Sequence, residues 1–292
     1  MQIVFSDIDG TFQEMGQPVP EINKEAIKAL QAQGDHFVFV TGRGIDLVEM
    51  MMTEEEISCD VIFGNGAGLK LEGQEPILAN CLPLTTLESV MAILEQENIF
   101  YFLHTDQGVV CKNPIDYQDH FSALTEKLIH DLGEKGAMIA EYKQAYFLKE
   151  CKHIVDFFAY IKAHPAINVL KVELMEASDE KIEHLRSLLQ TEPVMAFQSF
   201  AQTLEIVDPL ATKGAAIRNF MGAFPNASSF GIGDGENDLA MFEAVDVSVA
   251  VANASEKIRA VCDRVIPSAD EGGVGQFILE ELLRKDVVYE TD

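Results

Sequence analysis

Asp7 and Asp9 stand two residues apart where a short apolar run, Ile3-Val4-Phe5, gives way to Asp7-Ile8-Asp9-Gly10-Thr11. Residues i and i+2 of a strand point to the same side, about 6.6–6.8 Å apart along it. Two carboxylates so placed repel unless a cation sits between them or one holds a proton. Mg²⁺, which prefers carboxylate and water oxygens, suits such a pair. The plain alternative is a turn rich in Asp and Gly, because Gly10 permits a sharp exit from a strand. Thr41-Gly42-Arg43 closes a second apolar run, Phe37-Val38-Phe39-Val40. A small hydroxyl and exposed backbone N–H groups there can hold a phosphate oxygen, or simply cap a helix. Lys213-Gly214 opens a helical pattern after Pro209. A lone lysine is ordinarily solvated, but in acidic surroundings it is also a scarce counter-charge. Gly233-Asp234-Gly235-Glu236-Asn237-Asp238 follows a third short apolar run. It adds three acids, and two glycines that allow close backbone approach.

Rival motifs fail on spacing. An EF-hand loop begun at Asp234 needs Gly at its sixth position and Glu at its twelfth. Those positions hold Leu239 and Val245. No G-x-x-x-x-G-K-[ST] occurs, and neither Gly64-Asn65-Gly66 nor Gly231-Ile232-Gly233 completes a dinucleotide fingerprint.

The elements that must position these residues alternate. Ile22, Ala26, Ile27 and Leu30 recur at helical spacing over Glu21–Gln33, and Gly34 follows as a stop signal. A second helical stretch covers 45–56, and Val61-Ile62-Phe63 is the next strand. Its Met50-Met51-Met52 reads as core filling, and Glu54-Glu55-Glu56 as a solvated helix end. Continuous apolar strands alternating with helices imply a parallel sheet covered on both faces. The alternation returns after Asp208. Between lies a different pattern: helix 87–98, strands 100–104 and 108–112, longer helices, and a strand pair at 194–200 and 203–207. Strands joined by short turns suggest an α+β module with an antiparallel sheet. The expected organisation is one doubly wound α/β core, residues 1–82 and 208–292, interrupted by an α+β insert at 83–207.

Composition narrows the function classes. The chain has 292 residues and 48% hydrophobic content, enough for a core, with a formal net charge of −27. No basic run is present to bind a phosphate backbone, and the charge opposes docking on an anionic membrane. The proposed core carries 11 basic against 29 acidic residues, a balance of −18. Five scattered cysteines form no C-x-x-C pair, so reduced thiols in the cytoplasm are expected. No apolar run is long enough to span a bilayer. With Asp7 and Asp9 inside the N-terminal apolar stretch, no signal peptide is expected. Six of the seven histidines fall in the insert without metal-ligand spacing, so packing or surface roles are expected for them.

Taken in order, with an insert of about 125 residues lying between the second and third, the four motifs resemble those of the haloacid dehalogenase superfamily of phosphohydrolases. The chain is most similar to the Cof-type branch, which has a large α/β cap of the C2 type. Asn65-Gly66-Ala67, Leu204-Glu205-Ile206, Asn253-Ala254 and Asp270-Glu271-Gly272-Gly273-Val274 extend the likeness over both core segments. Over the insert it is one of size and position. Two positions depart from that branch: Phe12 stands where Leu is usual, and Val251-Ala252 precede Asn253 in place of Met-Gly.

The resemblance implies a Rossmann-like core with an inserted cap that sets substrate specificity. It implies that Asp7 attacks phosphorus, and that Asp9 protonates the leaving oxygen and then activates water. Mg²⁺ would be held by Asp7, the Asp9 backbone carbonyl and Asp234. Asp238 would orient Lys213 or a metal-bound water. Thr41, Lys213 and Asn237 would hold phosphoryl oxygens, with Gly42 as a further candidate. Arg43 would be either structural or in touch with substrate. The implied partner is a small phosphorylated metabolite, of the sugar phosphate, pyridoxal phosphate or flavin mononucleotide class, acted on by a monomer or homodimer. Two other readings stay open: a phosphosugar mutase, and a non-enzymatic phosphoacceptor or metabolite sensor.

Overall fold

The computed structural model describes residues 1–283 except 15 and 201, so the last nine residues of the expected core lie outside it. The chain divides into two compact units, Met1–Ala79 with the segment from Leu210 onward, and Asn80–Pro209.

In the first unit the apolar runs form strands. These are β1 (Gln2–Ser6), β2 (His36–Val40) and β3 (Asp60–Phe63), with helices α1 (Glu21–Ala32) and α2 (Ile45–Glu54) between them. Two short strands, β4 (Gly68–Lys70) and β5 (Ile77–Leu78), follow. The insert then contributes α3 (Leu84–Gln96), β6 (Tyr101–Thr105), β7 (Gly108–Cys111), α4 (Gln118–Leu132), α5 (Glu134–Lys149) and β8 (Lys152–His153). It continues with α6 (Phe157–Ala163), β9 (Val169–Met175), α7 (Asp179–Leu189), β10 (Met195–Phe197) and β11 (Thr203–Val207). The first unit resumes with α8 (Lys213–Met221), β12 (Ser228–Gly233), α9 (Leu239–Phe242) and β13 (Val247–Val251). It ends in α10 (Glu256–Arg259), β14 (Arg264–Ile266) and α11 (Gly273–Phe277), which runs into a π-helical turn at Ile278–Leu282.

The core sheet runs β14-β13-β12-β1-β2-β3-β4-β5. Pairing is parallel from β14 to β3, as continuous apolar strands demand. The β4 and β5 edge is antiparallel and adds two short strands that the sequence reading did not assign. Segments of two or three residues carry no period to read. The chain winds from β1 outward through β2 and β3, then returns to β12 on β1's other side. That reversal makes a crevice at the carboxyl ends of β1, β2 and β12, where ligands bind in such sheets.

Phe12 is fully buried, edge-on to Phe39 at 4.8 Å and 5.7 Å from Phe37. Its burial contributes about 1.5–3 kcal/mol, and it seats the loop after β1 against the sheet. Asn23 on α1 donates to the Phe12 carbonyl at 2.8 Å and accepts from Gly275 N at 2.7 Å, tying α1 to that loop and to α11. Of the three methionines expected in the core, Met51 is buried but Met50 is 55% exposed. Three consecutive helical positions span about 200°, so they cannot all face the sheet. Glu54 and Glu56 are exposed, whereas Glu55 pairs with Lys24 at 3.3 Å.

The second unit is a six-stranded sheet, β10-β11-β9-β6-β7-β8, antiparallel except for the β7–β8 edge. Alternation along β6, β9 and β11 sends Leu103, Val172, Leu174, Leu204 and Ile206 to one face, packed with α3, α6 and α7. The opposite face carries Phe102 and Met175, packed with α4 and α5. It also carries a buried charge cluster. Lys171 Nζ lies 3.0 Å from Glu173 and 2.9 Å from Glu205, and Glu173 also meets His104 at 2.9 Å.

Candidate active site

The loops leaving β1, β2 and β12 and the first turn of α8 carry the four motifs. Asp7 follows directly on β1, and its N–H donates to the Ile232 carbonyl of β12 at 2.9 Å. Gly10 adopts φ +83°, and a Cβ there would sit 2.6 Å from Asp234 Oδ2. Glycine is therefore needed twice over, for the left-handed turn and for the approach of the two acidic loops. Thr11 closes that approach, its hydroxyl donating to Asp234 Oδ1 at 2.9 Å.

Lys213 is the first residue of α8, whose N-cap Thr212 accepts from Ala215 N. The lysine is completely buried. Its Nζ donates to Asp7 Oδ1 at 2.5 Å and to Asp238 Oδ1 at 2.7 Å. Asp238 uses its other oxygen to accept from the backbone N–H groups of Asp234 and Gly235, both at 2.9 Å. It thus holds the loop after β12 and the lysine together. Gly214, next in α8, lets α9 approach: a Cβ would lie 1.9 Å from the Ala240 carbonyl oxygen.

Burial works against the charge on Lys213, yet Asp238 and Asp7 hold its ammonium above the ordinary lysine range. Burial raises the Asp7 carboxyl well above the usual carboxylate range; Lys213 opposes this, and Asp238, Asp234 and Asp9 add to it. Asp234 is pushed up to about 7, by burial first and the Asp238 charge second. Carboxylate oxygens of Asp7, Asp234 and Asp238 lie within 4.8 Å of one another. Three carboxylates this close, with the charged forms of Asp7 and Asp234 disfavoured by burial, fit a divalent cation with oxygen ligands, and Mg²⁺ is such a cation.

The turn after β2 is organised around Thr41, which is buried. Its hydroxyl accepts from Arg43 N at 3.1 Å, and its carbonyl accepts from Asn65 N at 2.8 Å. The Arg43 guanidinium reaches back to Asp9, with Nε to Oδ2 at 2.8 Å and Nη2 to Oδ1 at 2.6 Å. Asn237 donates to Asn65 Oδ1 at 3.4 Å, and Gly42 packs beside the same side chain. Asn65 thus links Thr41, Gly42 and Asn237, a part that the motif reading did not assign. Its position between two glycines was the available signal, and the structure holds it in the left-handed region at φ +58°. Asn253 is another such link: it donates to the Gly10 carbonyl at 2.7 Å and accepts from Ala269 N at 3.0 Å. Within its motif, nothing besides family likeness marked it.

A sequence profile of haloacid dehalogenase-like hydrolases matches residues 4–278. The chain is 25% identical over 295 residues to the 5-amino-6-(5-phospho-D-ribitylamino)uracil phosphatase YwtE of Bacillus subtilis, covering 95% of this chain and 97% of that one. Phosphatase YwpJ of the same organism is 24% identical over 293 residues, covering 95% and 99%. A solved haloacid dehalogenase-like hydrolase from B. subtilis superposes with a TM-score of 0.83 at 23% identity, over 97% of this chain and all of that one. No helix among the described residues is long and apolar enough to cross a membrane.

Proposed function

The chain belongs to the haloacid dehalogenase-like hydrolases, and from that premise we propose a Mg²⁺-dependent phosphatase for small phosphorylated metabolites that works through an aspartyl-phosphate. The observation that carries this reading is the buried Lys213 bridging Asp7 and Asp238 beside Asp234. Phosphate-ester hydrolysis depends chiefly on positioning and charge neutralisation, and this arrangement supplies both.

Asp7 is the nucleophile. Lys213 fixes one of its oxygens, so the carboxylate is aimed before substrate arrives. Asp9 gives a proton to the leaving oxygen, and in the second step takes one from the water that attacks the acyl phosphate. Lys213 offsets charge that develops on the phosphoryl oxygens, and Thr41, Gly42 and Asn237 hold those oxygens. Asp7 and Asp234 would hold Mg²⁺ through their carboxylates and Asp9 through its carbonyl, while Asp238 orients Lys213. Bound Mg²⁺ supplies Lewis-acid neutralisation of the phosphoryl group. The insert, residues 83–207, is the specificity cap. The name of the B. subtilis relative supports 5-amino-6-(5-phospho-D-ribitylamino)uracil as a first substrate to try, with sugar phosphates, pyridoxal phosphate and flavin mononucleotide beside it.

Phosphate release from p-nitrophenyl phosphate and a metabolite-phosphate panel tests the reading. Turnover should vanish with EDTA, return with Mg²⁺, and fall at least about 10³-fold in Asp7→Asn. Activity no higher than that of Asp7→Asn across the panel would overturn it.

A further inference from the structure

Asp7 and Asp238 are fixed by burial, with side chains 7% and 0% exposed. Asp9 is different: its side chain is 36% exposed. Packing alone leaves such a carboxylate free to choose among rotamers. The Arg43 guanidinium removes that freedom. It meets Asp9 as a fork, Nε to one oxygen at 2.8 Å and Nη2 to the other at 2.6 Å. Two parallel bonds fix the plane of the carboxylate as well as its position, which one ammonium cannot do.

The fork is itself anchored. Arg43 N donates to the Thr41 hydroxyl at 3.1 Å, and the Arg43 carbonyl accepts from Gly64 N at 2.9 Å. The turn after β2 therefore sets where the carboxylate of the β1 loop can stand. We propose that Arg43 is the positioning residue that aims Asp9 for proton transfer, acting through Asp9 rather than on the phosphoryl group. This rests on the phosphatase reading, in which Asp9 handles the proton. Proton transfer needs heavy atoms within about 2.6–3.2 Å, and a misplacement of about 1 Å can cost 10²-fold. A roaming Asp9 would lose that register while leaving Asp7 and Lys213 in place.

The experiment separates positioning from scaffolding by leaving group. p-Nitrophenolate departs with little help from an acid, whereas phenolate needs the proton. Steady-state kinetics on p-nitrophenyl phosphate and phenyl phosphate are compared for wild type, Arg43→Met, Arg43→Lys, Asp9→Asn and Arg43→Met/Asp9→Asn. The Arg43→Met loss in kcat/KM, which ends at transfer to Asp7 and leaves out the water step that both esters share, should be at least tenfold larger on phenyl phosphate. Arg43→Lys should recover part of it, and Arg43→Met should cost nothing further once Asp9 is Asn. Equal losses in kcat/KM on both esters, or an undiminished loss in the Asp9→Asn background, would overturn the proposal. Circular dichroism melting identifies a variant that fails to fold, and Arg43→Lys then carries the comparison. Failure of the phosphatase reading is distinguishable, because it would show as turnover that survives Asp7→Asn.

Discussion

Each unit of this protein buries a lysine between two carboxylates, and the two clusters behave oppositely. In the core, Lys213 serves Asp7 and Asp238. In the insert, Lys171 serves Glu173 and Glu205. Among the described residues, four carboxylates, Asp7, Asp9, Asp234 and Asp238, stand around Lys213 against two cations, Lys213 and Arg43, a formal excess of two negative charges. Around Lys171 the account closes, because Lys143 lies 3.9 Å from Glu173 and supplies a second cation. Burial opposes the charge of Glu173, but Lys171 and Lys143 overcome it and hold the carboxyl well below the usual range. His104 is held below its ordinary value, by burial first and Lys171 second. The insert cluster is thus a self-satisfied structural network, while the core cluster keeps a formal excess of negative charge. A buried lysine is weak evidence of a site; the unbalanced charge around it is the stronger sign.

The sharpest way to break this contrast is to remove each lysine. Lys213→Met and Lys171→Met should each lose about 3–5 kcal/mol of stability, because both leave buried carboxylates unpaired. Only Lys213→Met should be restabilised by millimolar Mg²⁺ in thermal melts, and only Lys213→Met should lose about 10²–10³ in kcat. Equal Mg²⁺ rescue of both variants would dissolve the distinction.

Next in size is a pH effect confined to the core cluster. The Asp7 and Asp234 carboxyls stand above their unfolded values, Asp234 at about 7. The folded metal-free protein therefore holds protons that the unfolded chain releases near the ordinary carboxylate value of about 4. Their contribution is present below that value and is lost as pH rises through about 7. Mg²⁺ competes with those protons, so its stabilisation should be larger at pH 8 than at pH 5. Calorimetry checks this, with about 2–4 °C expected per kcal/mol for a chain of this size class. A Mg²⁺-induced shift of equal size at both pH values would contradict it.

The smallest effect tests a link without charge. Asn253→Ala removes the bonds to Gly10 and Ala269, and should cost about 1 kcal/mol. Urea titration reads the cost, and a neutral result would show the link to be dispensable.

The sequence by itself determined the class of fold and the order of the chemistry. Apolar runs that end in Asp-x-Asp, Thr-Gly-Arg and Gly-Asp-Gly must be strands whose carboxyl ends carry polar loops, because period and turn chemistry are local. Elements of two or three residues, β4, β5 and β8, lay below that signal. The exposure of Met50 did too, since it depends on which way α2 rolls on the sheet. Tertiary structure alone decided the partnerships. Lys213 reaches Asp7 across 206 residues of chain, Arg43 takes Asp9, and Asn65 joins Thr41 to Asn237. None of these pairings has a spacing to read. Each follows from the strand order around β1, which brings loops distant in sequence to one end of the sheet, where buried charges must find opposite charges or stay costly.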